Sequence, residues 1–112
     1  MTGTRTSIVV DNTSGADPLF AATLAGALQA RGFDVEVREP SPNALFDTAV
    51  HMVAEGIALR VTGAIPRPAL DDVAAVVRES LRTRRSERQR VRSVPIYMGD
   101  TPRVLRWVDI FE

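Results

Sequence analysis

At 112 residues, with 45% hydrophobic and 25% charged side chains, the chain has the composition of one folded domain around one core. Its formal net charge is zero, so no overall polycation or polyanion points to nucleic acid or to an acidic substrate. There is no cysteine, and all 14 basic residues are arginine, which excludes disulfides, thiolate nucleophiles, cysteine-held metals and lysine Schiff-base chemistry.

The longest apolar stretch, Ala44–Ile65, is interrupted by Asp47, His51, Glu55 and Arg60 and does not read as a membrane span. Met1–Thr6 lacks the apolar segment of a secretory leader, so the expected location is the cytoplasm.

In chain order, Ser7–Val10 is a short β-branched run suited to a buried strand. Asp17-Pro18 then reads as a helix start, with the aspartate capping free N–H groups and the proline at the first helical position. Leu19, Phe20, Leu24 and Leu28 recur at helical spacing until Gly32. Phe33, Val35 and Val37 alternate with Asp34, Glu36 and Arg38, which predicts a second strand parallel to the first, with one wet face.

A helix is predicted from about Ala44 to Thr62, because Phe46, Val50, Val53, Ile57 and Val61 return at helical intervals. After a break at Gly63–Pro68, a further helix over about Ala69–Ser86 places Leu70, Val73, Ala74, Val77 and Leu81 on one stripe. The end of the chain reads as a hairpin, with "RSVPIYM" and "RVLRWVDIF" flanking the turn cluster "GDTP". Pro95 cannot donate to a ladder, which marks the first of these strands as an edge. The expected fold is α/β, in two layers: β-α-β-α-α-β-β in a single domain over residues 1–112, a mixed four-stranded sheet with the helices mainly on one face.

The stretch "DNTSGADP" lies between a strand and a helix, where α/β folds hold phosphates. The first 40 residues resemble the start of a flavodoxin, whose loop reads Ser/Thr, any residue, Ser/Thr, Gly, Asn, Ser/Thr. Aligned on Gly15, Ser14 and Gly15 match, whereas Asn12, Ala16 and Asp17 depart from the pattern. The resemblance implies an FMN-phosphate site over Asp11, Asn12, Thr13, Ser14, Gly15 and Asp17. Asp11 and Asp17 oppose it, because two carboxylates repel a phosphate. No cofactor is therefore expected, and Asp17 reads better as the helix cap. Asp11 and Thr13 also resemble the nucleophile segment of haloacid dehalogenase phosphatases, but Thr13 stands where that family has its second aspartate, and the family's lysine has no counterpart here.

Asp47, His51 and Glu55 fall at i, i+4 and i+8, a spacing that fits a weak metal site or, more simply, a solvated stripe. Charge is segregated along the chain. Residues 78–92 hold seven arginines and two glutamates, net +5, while residues 1–77 hold five arginines and nine acids, net −4. Arg78, Arg82, Arg85 and Arg88 could thus grip an anionic partner. Nucleic acid is the less favoured one, because the segment has no aromatic side chain to stack on bases. Tyr97 and Trp107, each the only one of its kind, lie on hairpin strands whose faces are both partly apolar.

The order of elements, with "LRTRRSERQR" leading into "VPIYMGDTPRVLRWVDI", resembles the effector-associated constant component domains of bacterial conflict systems. That resemblance implies a non-catalytic accessory component and carries over no catalytic residue. The expectation is a protein that binds another protein or itself, as a homo-oligomer. The alternatives are an enzyme using the loop after the first strand and nucleic-acid binding through the arginine segment.

Overall fold

The computed structural model describes residues 6–13, 17–39, 56–62, 65–83 and 93–109. They form β1 (Ser7–Asp11), α1 (Pro18–Ala30), β2 (Asp34–Arg38), β3 (Ala58–Thr62), α2 (Arg67–Thr83), β4 (Ser93–Met98) and β5 (Val104–Asp109). The five strands lie in the order β2-β1-β3-β4-β5. β1 runs parallel to β2 and antiparallel to β3, β3 runs parallel to β4, and β4 and β5 form an antiparallel hairpin. The fold is therefore α/β with a mixed sheet, as expected, but with five strands instead of four.

The extra strand is the main correction. Ala58–Thr62 was expected to end a helix and is instead β3, in the middle of the sheet. A return every four residues, as from Ile57 to Val61, fits a helix and is also a multiple of two. In the structure Ile57, Leu59 and Val61 point into the core while Arg60 and Thr62 do not, a strand period. The β-branched Ile57, Val61 and Thr62 suit a pleated surface, and β1 and β4 supply ladders on both sides. Residues 44–55 of the predicted helix, with Asp47, His51 and Glu55, lie outside the described residues.

A second correction concerns β4, which is interior and not an edge. Its ladder to β3 begins at Ile96, one residue after Pro95, so the missing N–H is not asked for there.

Both helices cover one face of the sheet. Phe20, Leu24 and Leu28 of α1 and Val73, Val77 and Leu81 of α2 are fully buried with Ile8, Val10, Leu59, Val61, Val94, Ile96 and Val108 from the strands. Burying one such aliphatic or aromatic side chain contributes about 1.5–3 kcal/mol before chain entropy is counted. α2 is also tied down by charge. Asp72 accepts from Arg31 just past α1, and Asp71 pairs with Arg106 of β5 at 2.7 Å.

Candidate functional site

Alternation along the strands sends Val9, Asp11, Glu36, Arg38, Arg60 and Tyr97 to the sheet's second face, away from the helices. β1 ends on this face with Asp11, which is buried although charged. Its Oδ2 accepts from Arg60 Nε at 2.9 Å and its Oδ1 from the backbone N–H of Thr13 at 3.2 Å. Burial pushes this carboxyl up. The Arg60 guanidinium and the Thr13 amide more than offset that and hold it below its ordinary value.

Arg60 does more than neutralise Asp11. Its Nη1 donates to the carbonyl of Gly99 at 3.1 Å and to that of Thr101 at 3.5 Å, both in the β4–β5 turn. Its guanidinium lies 4.8 Å from the centre of the Tyr97 ring, its register partner on β4. The turn needs Gly99 at φ 54°, a left-handed conformation that glycine adopts without strain. Asp100 of the same turn meets Arg38 of β2 at 3.4 Å, with the aspartate 81% exposed.

The loop residues divide. Asp17 caps α1 as expected, its Oδ1 accepting from the N–H of Phe20 at 3.0 Å. Asn12 is buried, and its N–H donates to the carbonyl of Arg38 at 2.8 Å. Thr13 Oγ1 is buried and has no hydrogen-bond partner. Ser14 and Gly15 lie outside the described residues. A phosphate held against this loop would meet an aspartate whose oxygens are already taken by an amide and a guanidinium, and a second aspartate committed to the helix cap.

The structure brings Asp11 and Thr13 together with Tyr97 through Arg60, whereas Asp17, Arg78, Arg82 and Trp107 are not part of this cluster. Arg78 and Arg82 sit on α2, whereas Arg85 and Arg88 lie outside the described residues. Trp107 is on β5, the edge strand farthest from β2, and is 50% exposed, with Val104 of the same strand at 43%. Arg60 is not among the functional residues expected from the sequence, where it reads only as a charge that interrupts an apolar stretch. The period-two pattern Ile57–Thr62 was the signal that could have found it.

Beside this cluster, Ser7, Val9, Asp34, Glu36 and Thr62 line a shallow depression of about 510 Å³. Among the described residues no group of three or more His, Asp or Glu side chains could hold a metal ion, and no helix is long and apolar enough to cross a membrane. Comparison of the chain with family models, with curated proteins and with solved structures returns no match.

Proposed function

We propose that this is a non-catalytic protein-binding component that associates, with itself first of all, through the β4–β5 hairpin. The observation that carries the reading is the contrast between the two edges of the sheet. On β2 the exposed Val37 is flanked by Glu36 and Arg38 with Asp34 nearby, charges of the kind that discourage strand addition. β5 instead presents an exposed Val104 and a half-exposed Trp107, and its Arg106 is engaged by Asp71. A large aromatic side chain left half in water at a sheet edge is a common anchor for a partner.

The resemblance to effector-associated constant components agrees with an accessory role, and the state of Asp11 supports a non-catalytic one. Its carboxylate is spent on a structural ion pair and is not held ready as a nucleophile or base. The enzyme and flavin alternative would have to work around that pair. Sedimentation of the wild type and of Trp107→Glu tests the proposal. The wild type should run as a dimer or larger and the variant as a monomer with unchanged circular dichroism. A wild type that stays monomeric at high micromolar concentration refutes self-association.

A further inference from the structure

The charged cluster on the second face joins two segments that lie 88 positions apart in the chain: Asp11 at the end of β1, with Thr13, and the Gly99–Pro102 turn that leads into β5. One guanidinium makes both connections. The planar fork of Arg60 turns Nε toward Asp11 and Nη1 toward the carbonyls of Gly99 and Thr101, while the Tyr97 ring fixes the plane of the fork. An arginine held this way cannot swing toward one set of partners without leaving the other.

The turn has two further ties, the Gly99 N–H to the carbonyl of Val61 at 2.8 Å and the side-chain pair Arg38–Asp100; the pair is the weaker. That pair is long and largely in water, where such contacts contribute little. We propose that Arg60 is a mechanical coupler, through which the state of the Asp11 carboxylate sets how firmly the β4–β5 turn is strapped to the sheet.

The consequence is a link between the end of β1 and the hairpin strand β5. A cation or hydrogen-bond donor that draws Asp11 away from Arg60 loosens the turn. By reciprocity, a partner that pulls on the hairpin weakens the hold on Asp11. The coupling stands whether or not β5 binds a partner, because it is a property of the single chain.

Hydrogen exchange on the full chain, at a concentration where it is monomeric, tests the coupling. Gly99 donates its N–H to the carbonyl of Val61 at 2.8 Å and Thr101 donates to that of Met98 at 3.1 Å, so both amides report on the turn. Asp11→Asn removes the charge and keeps the shape. Arg60→Lys keeps a cation opposite Asp11, and hence the fold, but lacks the fork. Both variants should exchange at Gly99 and Thr101 about tenfold faster than wild type, while the amides of Leu24 and Leu28 in α1 keep their rates. Asp100→Asn should leave all four close to wild type.

Unchanged turn amides in both Asp11→Asn and Arg60→Lys overturn the proposal. So does an equal acceleration in turn and helix, which marks a general loss of stability. So does an Asp100→Asn effect as large as that of Asp11→Asn, which would make Arg38 the fastener.

Discussion

The two faces of the sheet are held by different physics. On the helix side, cohesion comes from many apolar side chains at zero or near-zero exposure, each adding a share of transfer free energy and none indispensable in direction. On the other side a partly buried ion pair, Asp11–Arg60, organises the surface among the described residues, and its value depends on geometry. A face built from oil tolerates a change of shape in proportion to the volume lost. A face organised around one charge pair loses several contacts together when half of the pair is removed.

That contrast can be broken from either side. The largest effect is expected on the apolar face, where Phe20→Ala should cost about 4 kcal/mol in urea unfolding, because the ring is fully buried between helix and sheet. Arg60→Met should cost about 3 kcal/mol, since it strands the Asp11 carboxylate. Adding Asp11→Leu to it should recover part of the loss, because no charge then remains buried. A double variant no better than the single one would show that the pair's hydrogen bonds to the turn matter more than the stranded charge.

Asp17→Ala should cost about 1 kcal/mol, the loss of one helix cap. Asp100→Asn should change stability by less than about 0.5 kcal/mol, as expected for an exposed pair.

Acid sharpens the same comparison. The carboxyl of Asp11 titrates below its ordinary value in the folded chain, so the unfolded chain binds its proton more readily. The pair's contribution is therefore fully present above the ordinary carboxylate range and is lost as pH falls through the lowered value. Asp11→Asn should flatten the acid limb of the stability profile, measured by unfolding midpoints from neutral pH downward, and leave the neutral-to-alkaline limb unchanged in slope.

Elements with strong local signals were legible. The Asp17-Pro18 start of α1, the alternation of β2 and the turn-flanked hairpin all follow from rules that act within a few residues. β3 was not legible, because its apolar spacing serves a helix and a strand equally well and the choice is made by β1 and β4 on either side. Arg60 was hidden for the same reason. On a helix it would have been one more charge on a stripe, and only as part of a central strand does it reach Asp11 and the turn.

What the sequence determined by itself is an α/β chain whose helix caps, turns and strand alternation are written locally, and whose chemistry excludes cysteine and lysine mechanisms. The tertiary structure decided that the sheet has five strands, that β4 is interior, and that Asp11 at the end of β1 is held in an ion pair with Arg60. The physical reason is range. Capping and periodicity act over one turn or one pleat, whereas strand order and the Asp11–Arg60 contact join residues 49 positions apart, whose pairing depends on what the rest of the sheet makes available.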